Sequence, residues 1–556
     1  MTDYELWLEK ATKDPELIPE LKKMSEEDKV EAFYKELEFG TAGLRGVIGA
    51  GTNRMNIYVV NKAAQGIANY VNKHFKQEER KIAIGYDSRI KSELFAKSSA
   101  AVFAANGITT YLYQEVIPTP CVSYAIICMK CASGVMVTAS HNPSKYNGYK
   151  VYGPTGCQIS SDMSDEILRE IQSLDIFEDI KEIPYEDGVK QGLIQKMPDY
   201  VYQSFIKDVS ALQVAPKESL DKNLKIVYTP LHGVGLKPVM EILRSNGYNN
   251  IVVVKEQEKP DGTFPTTSYP NPESPQALEL AYKYAYQEKA DIVIATDPDS
   301  DRVGLVSKTP TGEYQTISGN QTGMLLLDYL INLKKQQGKL PQHPVCIRSV
   351  VTTDMIDRIA KAHNVEVRAV LTGFKWIGGE VNNLEREGRT SDLLLAFEES
   401  IGFMTGSHVR DKDAVNASLI IAEMAAYYKK LGKTLVERLD ELYQEYGYCL
   451  NNTYSYEFAG REGMGIMNRI MEEFRKGLKD IGGYPVVETL DYTKGVGSLP
   501  KSNIMKYVFE DGSSVIIRPS GTEPKVKVYL FLYGKDSEES KQKELRVMAD
   551  IVKMMK

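Results

Sequence analysis

Residues 81–143 read KIAIGYDSRIKSELFAKSSAAVFAANGITTYLYQEVIPTPCVSYAIICMKCASGVMVTASHNP. Short runs of β-branched and apolar residues alternate here with helix-forming segments, and a polar cluster around Ser140 follows the last run. The pattern predicts strands at 81–85, 109–113 and 134–138, separated by helices near 93–105 and 121–130. Strands that alternate with helices in this way are typical of a parallel sheet. We therefore predict a βαβαβ unit that ends in a polar loop.

The same alternation occurs twice more along the chain. Residues 225–295 run into the polar cluster 297–302 (DPDSDR), and residues 345–397 run into the cluster 398–402 (EESIG). Each stretch again predicts three strands and two helices. Ligands of open α/β sheets bind beyond the carboxyl ends of the strands, so we expect the three polar loops to face a shared cleft.

Two further regions flank these units. Residues up to about 38 carry apolar side chains at helical spacing, which predicts an N-terminal helical extension. Roughly the last hundred residues predict a smaller domain of mixed helices and strands. The predicted fold class is α/β, with three tandem βαβαβ domains of mixed, mostly parallel sheets and a smaller C-terminal α+β domain around a central cleft. The expected domains are 1–206, 207–317, 318–446 and 447–556.

The composition excludes several classes of protein. The chain has 556 residues, 42% of them apolar and 26% charged, and 68 basic against 75 acidic residues give a net charge of −7. Disordered, collagen-like and disulfide-scaffold chains differ from this composition. No run of about 18 apolar residues occurs, and residues 1–5 (MTDYE) do not resemble a signal peptide, so we expect a cytoplasmic protein without membrane partners. The acidic balance argues against nucleic acid as a partner.

The cysteines are few for so long a chain. Of the six, Cys128 and Cys131 form a single CxxC pair at the end of a predicted helix. A structural zinc site needs a second pair of ligands. We therefore interpret both as buried small residues and not as a zinc or redox site.

Three aspartates alternate along the cluster 297–302. Asp297, Asp299 and Asp301 can each offer one oxygen to a hard divalent cation without a long loop closure. An EF-hand is excluded, because its sixth and twelfth positions would be Arg302 and Lys308 in place of Gly and Glu. A solvated acidic turn is the simplest alternative, but three carboxylates this close repel one another unless a cation lies among them. The loop therefore predicts a magnesium site.

Ser140 comes directly after a predicted strand. Taken alone, such a serine is more often a helix N-cap or a turn residue. The G-x-S-x-G sequence of hydrolase nucleophiles is absent around it, so a hydrolase triad is not expected. A serine at the end of a strand is still suited to accept or carry a phosphoryl group.

Several cationic and hydroxyl-bearing residues predict a site for a phosphorylated sugar. The segment 518–525 (RPSGTEPK) combines a fixed charge, two hydroxyls and a bare glycine backbone, as a phosphate cradle does, although a plain turn explains it equally well. Carboxylate and hydroxyl groups in the cluster 398–402 suit sugar hydroxyls. The residues singled out for these roles are Arg45, Lys375, Glu398, Ser400, Lys412, Arg518, Ser520, Gly521 and Thr522.

Four sequences in a fixed order resemble those of a known family. They are 138–143 (TASHNP), 297–302 (DPDSDR), 398–402 (EESIG) and 518–522 (RPSGT). Together they resemble the four signature loops of the α-D-phosphohexomutase superfamily, and the resemblance covers nearly the whole chain. The segment 228–235 (YTPLHGVG) and the helical N-terminus resemble the phosphoglucomutase branch, which also includes phosphopentomutases.

The resemblance implies one active site built from all four loops. Ser140 would be a phosphoserine, and Mg²⁺ would be held by a phosphoserine oxygen and the three aspartates. Lys150 matches the general acid and base of the family. The other residues that carry over are Arg45, His141 and Arg302 near that lysine, Glu398 and Ser400 for the sugar, Lys412 for the substrate, and Arg518, Ser520 and Thr522 for the non-reacting phosphate.

The implied reaction interconverts glucose 1-phosphate and glucose 6-phosphate, with glucose 1,6-bisphosphate as intermediate and activator. Two departures concern the sugar: Phe397 stands where many members carry Gly, and residues 372–376 (TGFKW) lack the His of the mannose-active branch. Phosphopentomutase and phosphomannomutase activities are alternatives, as are a metal-dependent phosphatase and a non-catalytic sugar-phosphate-binding protein. We expect small sugar phosphates as ligands and a monomer or a homodimer.

Overall fold

The computed structural model describes residues 2–40, 43–458, 463–520 and 525–555. Three helices begin this part of the chain: α1 (Asp3–Lys10), α2 (Leu17–Lys23) and α3 (Glu26–Phe33). Trp7 is buried, and its ring lies 5.5 Å from the rings of Tyr58 and Phe177 and 5.9 Å from that of Phe33. These aromatic contacts attach the helical extension to the first α/β unit.

The first unit is a six-stranded sheet with helices. Its strands are β1 (Leu44–Val47), β2 (Lys81–Tyr86), β3 (Thr109–Leu112), β4 (Ser133–Val137), β5 (Tyr146–Tyr152) and β6 (Ile194–Lys196), and its helices are α4 (Ile57–His74), α5 (Ser92–Ala105), α6 (Thr119–Met129), α7 (Ser161–Gln172), α8 (Tyr185–Lys190) and α9 (Asp199–Ser210). The strand order is β1-β5-β4-β2-β3-β6. Strands β4, β2, β3 and β6 are parallel, whereas β5 is antiparallel to β4 and to β1. The chain therefore reverses in the loop that holds Ser140.

The second unit repeats this arrangement with five strands. Its elements are β7 (Ile226–Thr229), α10 (Leu236–Ser245), β8 (Ile251–Val253), α11 (Pro275–Glu288), β9 (Ile292–Thr296), β10 (Val303–Lys308) and β11 (Tyr314–Ile317). The order is β11-β10-β9-β7-β8, with β9, β7 and β8 parallel and β10 antiparallel to β9. The aspartate loop lies at the reversal between β9 and β10.

The third unit has four strands and five helices. Its elements are α12 (Gly319–Gln336), β12 (Val345–Ser349), α13 (Met355–Ala362), β13 (Glu366–Val370), α14 (Phe374–Arg386), β14 (Leu393–Glu398), β15 (Gly402–Met404), α15 (Ala414–Lys430) and α16 (Leu435–Tyr446). The order is β13-β12-β14-β15, and only β15 is antiparallel. The cluster 398–402 lies at the reversal between β14 and β15.

The fourth unit is antiparallel throughout. Its elements are β16 (Tyr448–Glu457), α17 (Gly463–Arg475), β17 (Asp480–Ile481), β18 (Tyr484–Asp491), β19 (Met505–Phe509), β20 (Ser514–Pro519), β21 (Lys525–Gly534) and α18 (Ser537–Met554). The order is β16-β21-β20-β19-β18-β17. Helices α17 and α18 pack on this sheet over a core that includes Phe474 and Val547.

The three α/β units share one backbone feature in the loop that follows their last parallel strand. A residue with a left-handed backbone stands in each reversal: Ser140 and Ser300, both with φ 51°, and Ile401 with φ 56°. An antiparallel strand follows each of these loops. A sharp reversal of this kind keeps the polar side chains of the loop at the carboxyl edge of the sheet, where they face the cleft.

The observed sheets confirm the predicted fold class of three mixed α/β units and a smaller C-terminal unit. One hydrophobic core cluster contains residues of all four units, among them Val122, Leu243, Leu395 and Tyr533. The four units therefore share one continuous hydrophobic core. Among the helices of the described residues, none has the length and apolarity needed to cross a membrane.

The structure corrects one prediction about the cysteines. Cys131 is buried as expected, but Cys128 is exposed because the last turn of α6 faces solvent. All six thiols are unpaired. Neither residue of this pair belongs to a group of metal-ligand side chains found within the described part of the chain.

Candidate active site

Ser140 faces the aspartate loop of the second unit. Its Oγ donates a hydrogen bond to Asp297 Oδ2 at 2.7 Å and lies 3.2 Å from His141 Nδ1. The serine is buried, and its left-handed backbone is one that a non-glycine residue adopts only where its surroundings hold it there. The predicted nucleophile and the predicted metal loop are therefore in direct contact.

Arg89 holds the backbone of the Ser140 loop, and sequence reasoning missed it. Its guanidinium donates to the carbonyl oxygens of Ser140 (2.5 Å), Pro143 (3.0 Å) and Tyr146 (3.0 Å), and also to that of Asn142. The guanidinium reaches these four carbonyls from two separate nitrogens held in one plane, whereas a lysine has a single nitrogen. The signal that could have found it is the polar cluster 87–89 (DSR), which directly follows β2.

Asp87 links Arg89 to the amide of the serine. Its Oδ2 lies 3.4 Å from Arg89 Nε and accepts a hydrogen bond from Thr138 Oγ1 at 2.6 Å. Thr138 Oγ1 in turn accepts the Ser140 N–H at 2.8 Å. Because all these groups are buried, the chain of bonds fixes the conformation of the loop.

The three aspartates of the second loop converge as predicted. Asp297, Asp299 and Asp301 are buried, and one carboxylate oxygen of each lies within 4.8 Å of the others. Backbone N–H groups of Asp301 and Arg302 donate to Asp297 Oδ1 at 3.1 and 3.0 Å. Thr119, at the start of α6, donates its hydroxyl to Asp299 Oδ2 at 2.6 Å, another contact that sequence reasoning missed.

Two oxygens of this group are well placed to bind a cation. In the described part of the chain, Asp299 Oδ1 and Asp301 Oδ1 are buried and have no hydrogen-bond partner. Burial and the charges of Asp299 and Asp301 raise the pKa of Asp297 well above its ordinary value. Buried, like-charged oxygens without donors are stabilised by a hard divalent cation, so this donor set fits Mg²⁺.

Two lysines balance the aspartates. Lys150 Nζ lies 2.7 Å from Asp299 Oδ2 and 2.9 Å from Asp301 Oδ2, and Lys412 Nζ lies 3.2 Å from Asp301 Oδ2. Burial lowers the pKa of Lys150, but the two carboxylates more than offset this effect and raise it well above its ordinary value. Both lysines, predicted on separate grounds, therefore meet at Asp301 as ammonium groups.

His141, Arg302 and Arg45, which the resemblance placed near Lys150, lie around the Ser140 loop and its neighbours. Burial, followed by the charges of Arg302 and Arg45, lowers the pKa of His141 well below its ordinary value, so its imidazole is neutral near pH 7. Arg302 donates to the carbonyl oxygen of Ser400 at 3.4 Å. Arg45 donates to Asn142 Oδ1 at 3.3 Å, from an exposed position at the mouth of the loop.

The third loop brings Glu398 and Ser400 to the same cleft. Glu398 Oε1 accepts the backbone N–H of Gly373 at 2.7 Å, which fixes the orientation of the carboxylate. Lys375 lies farther out, and its Nζ stands 4.9 Å from the centre of the Trp376 ring. Within the described residues, no ion pair joins the Lys375 side chain to the aspartates, and its backbone carbonyl accepts from Cys157 Sγ of the first unit at 3.3 Å.

The fourth unit contributes a pair of cations. Arg518 on β20 lies directly opposite Lys527 on β21. Burial and the charges of Arg518 and Arg302 lower the pKa of Lys527, whereas the charges of Glu399 and Glu273 raise it, so this lysine lies near charged residues of the second and third units. Ser520 N–H donates to the carbonyl of Lys525 at 2.7 Å. The predicted residues Gly521 and Thr522 lie outside the described residues.

Lys527 was not predicted from the sequence. It stands between the buried residues Val526 and Val528, and a lysine between two apolar residues of a strand is the signal that could have found it. With Arg518 it presents two adjacent positive charges, which suit a phosphate group.

The arrangement as a whole has the parts that phosphoryl transfer requires. A serine hydroxyl stands at a group of carboxylates fit for a divalent cation, and basic side chains from all four units face the same space. Transfer of a phosphoryl group depends mainly on in-line placement and on neutralising negative charge. This site supplies the positive charge, from lysine and arginine side chains, and a serine hydroxyl beside the carboxylates.

Comparison with family models gives four matches in chain order. Residues 36–176, 202–312 and 318–446 match phosphoglucomutase/phosphomannomutase alpha/beta/alpha domains I, II and III, and residues 467–549 match the C-terminal domain of the same proteins. Each of the first three ranges contains most or all of one of the three α/β sheets, and the fourth falls within the antiparallel unit.

Individual relatives agree with the family models. The phosphoglucomutase of Staphylococcus aureus (strain USA300) is 36% identical over 555 residues, which is 97% of each chain. A putative phosphomannomutase from Thermus thermophilus superposes with a TM-score of 0.70 at 20% identity, over 94% of this chain and 99% of that one. An N-acetylphosphoglucosamine mutase of Aspergillus fumigatus, solved with GlcNAc-6P and magnesium, superposes with a TM-score of 0.52 at 13% identity, over 94% of this chain and 97% of that one.

Proposed function

This chain belongs to the phosphoglucomutase/phosphomannomutase family of the α-D-phosphohexomutase superfamily, and we propose that it interconverts glucose 1-phosphate and glucose 6-phosphate. The observation that carries this proposal is the 2.7 Å hydrogen bond from Ser140 Oγ to Asp297 Oδ2. It brings the serine that would carry the phosphoryl group to the carboxylates that would hold the cation.

The proposed reaction has two half-steps. Phosphorylated Ser140 gives its phosphoryl group to the free hydroxyl of the sugar phosphate: the bond from phosphorus to the serine oxygen breaks, and one to the sugar oxygen forms. The product, glucose 1,6-bisphosphate, then turns around in the cleft. Its other phosphoryl group returns to Ser140, and the isomeric monophosphate leaves.

Lys150 is the proposed acid and base. As the neutral amine, Lys150 takes the proton of the attacking sugar hydroxyl in the first half-step, and as the ammonium it returns that proton to the departing sugar oxygen in the second. Ser140 Oγ takes up a proton from water when its phosphoryl group leaves and gives one back to water when it attacks in the second half-step. Asp299 and Asp301 hold Lys150 as an ammonium when they face it alone. A divalent cation held by the same carboxylates would weaken their attraction for the ammonium and so favour the neutral amine that acts as the base.

The other residues bind and orient the substrate. Asp297, Asp299, Asp301 and the phosphoserine would hold Mg²⁺, which supplies charge neutralisation for the transferring group. His141 and Arg302 border the reacting phosphoryl group, and Arg45 stands at the entrance. Glu398 and Ser400 are proposed to meet sugar hydroxyls, with Lys375 and Lys412 beside them. Arg518, Ser520, Gly521 and Thr522, joined by Lys527, are proposed to bind the non-reacting phosphate.

The preferred sugar substrate distinguishes a phosphoglucomutase from the alternative mutases. The S. aureus relative is named a phosphoglucomutase, which favours glucose over a pentose phosphate or mannose phosphate. The decisive experiment compares kcat/KM for glucose 1-phosphate, mannose 1-phosphate and ribose 1-phosphate, and measures inorganic phosphate in parallel. We expect glucose to be preferred at least about tenfold without phosphate release. A preference for ribose 1-phosphate, or one phosphate released per sugar consumed, would overturn the proposal.

Three further expectations accompany this function. We propose that the enzyme acts in the cytoplasm, that it is a monomer or a homodimer, and that its domains divide near residues 206, 317 and 446. Size-exclusion chromatography with light scattering measures the oligomeric state, and limited proteolysis measures the boundaries.

A further inference from the structure

Asp411 is a buried carboxylate beside the proposed active site for which the reaction so far has no role. Its side chain is completely shielded from solvent. Oδ1 accepts from the backbone N–H of Lys412 at 2.8 Å and from Lys412 Nζ at 3.1 Å. Oδ2 accepts from Tyr152 OH at 2.8 Å and from Gln158 Nε2 at 2.9 Å. Both oxygens are therefore fully used.

The contacts of Asp411 join two units of the protein. Tyr152 and Gln158 belong to the first α/β unit, whereas Asp411 and Lys412 belong to the third. Tyr152 lies two residues after Lys150 on β5, so both side chains leave the same face of that strand. Asp411 thus holds the tyrosine next to the proposed acid and base on this face of the strand.

These bonds continue into the aspartate loop. Lys412 Nζ lies 3.1 Å from Asp411 Oδ1 and 3.2 Å from Asp301 Oδ2, so it bridges the two carboxylates. Asp301 also contacts Lys150, at 2.9 Å. The five groups Tyr152, Asp411, Lys412, Asp301 and Lys150 therefore form a ring of short polar contacts closed by the backbone of β5.

Packing limits where the Lys412 side chain can run. A Cβ atom on Gly402 would lie 2.2 Å from Lys412 Cδ, so the lysine stem passes directly over a bare glycine. On another side, Lys412 Nζ stands 5.3 Å from the centre of the Phe374 ring. Because the stem of Lys412 is confined in this way, its contacts with Asp411 and Asp301 determine the position of its ammonium group.

We propose that Asp411 is a positioning residue that acts through Lys412. It holds the ammonium of Lys412 at a fixed place beside Asp301 and ties that place to the first unit through Tyr152. The inference rests on the proposed function, because Lys412 matters here as a substrate contact. If Asp411 merely joined the two units, its loss would weaken the fold without depending on Lys412.

A double-mutant cycle separates these two roles. The variants are Asp411→Asn, Lys412→Met and the double variant, and the readouts are kcat/KM and the dissociation constant of glucose 1-phosphate, with Mg²⁺ and glucose 1,6-bisphosphate present for turnover. We expect Asp411→Asn to lower kcat/KM by about 10- to 100-fold, as loss of an orienting partner commonly does. In the Lys412→Met background the same change should lower it by less than about twofold.

Two variants support the cycle. Asp413→Asn is the matched control: this buried carboxylate caps α15 by accepting the N–H groups of Val415 and Asn416, and in the described structure it makes no contact with a lysine. The change that Asp413→Asn causes in kcat/KM should be the same in the wild-type and Lys412→Met backgrounds. Tyr152→Phe removes one donor to Asp411 and leaves Lys412 intact, so it serves if Asp411→Asn does not fold. We expect about a 3- to 10-fold loss that also disappears in the Lys412→Met background.

The outcomes distinguish the two proposals. Equal effects of Asp411→Asn, or of Tyr152→Phe, in both backgrounds would overturn the positioning role while leaving the proposed function in place. A wild-type enzyme that does not isomerise glucose 1-phosphate would overturn the proposed function itself. In that case the dissociation constant still reports whether Asp411 acts on sugar-phosphate binding through Lys412.

Discussion

Ser140 Oγ and Asp297 Oδ2 lie 2.7 Å apart, and their hydrogen bond joins loops from two different sheets. The two residues are 157 positions apart in the chain. Each loop ends a βαβαβ run and contains a left-handed serine, Ser140 in one and Ser300 in the other. The contact therefore results from placing two similar units edge to edge around a cleft, and the proposed chemistry begins there.

Asp299→Asn should weaken magnesium binding. Asp299 Oδ1 is buried without a hydrogen-bond partner in the described part of the chain, and the neutral amide offers a weaker ligand for a hard cation. We expect the dissociation constant for Mg²⁺, measured by titration calorimetry, to rise at least about tenfold. Removing the metal with a chelator should abolish turnover of the wild type, and added Mg²⁺ should restore it.

Asp291→Asn is the control for this change. Asp291 directly precedes β9, at the end of that strand farthest from the aspartate loop, and it accepts the backbone N–H of Lys225. The Asp291→Asn substitution removes one negative charge from the same unit, and the affinity for Mg²⁺ should stay within about twofold of the wild-type value. Identical titrations for Asp299→Asn and the wild type would exclude Asp299 as a ligand.

Arg89→Lys should slow the reaction without greatly changing substrate binding. A lysine keeps the positive charge but cannot reach the carbonyls of Ser140, Pro143 and Tyr146 together. We expect kcat to fall by about tenfold, KM to change less than about twofold, and the free energy of unfolding to drop by about 1–3 kcal/mol. Steady-state kinetics and denaturant titration measure these quantities.

Arg80→Lys offers a matched comparison. Arg80 also donates to backbone carbonyls, those of Phe75 and Asn72, but it lies away from the cleft. The Arg80→Lys substitution should lower the free energy of unfolding about as much as Arg89→Lys does and leave kcat close to the wild-type value. If both variants lower kcat equally, the role of Arg89 is stability alone.

Glu399→Gln should change how stability depends on pH. Burial, together with the charge of Glu398, raises the pKa of Glu399 from 4.5 to about 7. Between those values the folded protein holds a proton that the unfolded chain has lost, so stability falls as the pH rises from about 4.5 to about 7. This group should account for about 1–3 kcal/mol of that loss, because partial exposure reduces the effect.

Thermal unfolding at pH 5 and pH 8 measures this effect. We expect Glu399→Gln to be close to the wild type at pH 5 and more stable than the wild type at pH 8. Glu366→Gln is the comparison, since the pKa of that glutamate is lowered and its removal should not stabilise the protein at high pH. A constant difference between Glu399→Gln and the wild type at both pH values would contradict the raised pKa.

The sequence was most informative where strands are apolar and end in polar residues. The runs before Ser140, Asp297 and Glu398 predicted three parallel units, and the structure has a strand at each of them. Parallel strands are buried on both faces and read as continuous apolar runs, so they are easy to recognise. The convergence of their polar ends follows from the geometry of open sheets.

The antiparallel strands and the supporting residues were harder to predict. Strand β5 (YNGYKVY) mixes glycine, asparagine and lysine, because Asn147 bonds to Ser92 of α5 whereas Lys150 bonds to the aspartate loop across the cleft. Asp411 and Arg89 act through contacts with residues far away in the chain, and local pattern does not reveal such contacts. Positions of this kind depend on tertiary structure.

The central claim is that Ser140 carries the phosphoryl group. The most direct test is the intact mass of the protein after incubation with glucose 1,6-bisphosphate and Mg²⁺, for the wild type, Ser140→Ala and Ser300→Ala. Ser300 is the matched control, because it has the same left-handed backbone in the next loop. We predict that the wild type and Ser300→Ala each gain one phosphoryl group and that Ser140→Ala gains none. A wild type that stays unmodified, or a Ser140→Ala variant that gains the group equally well, would contradict the account.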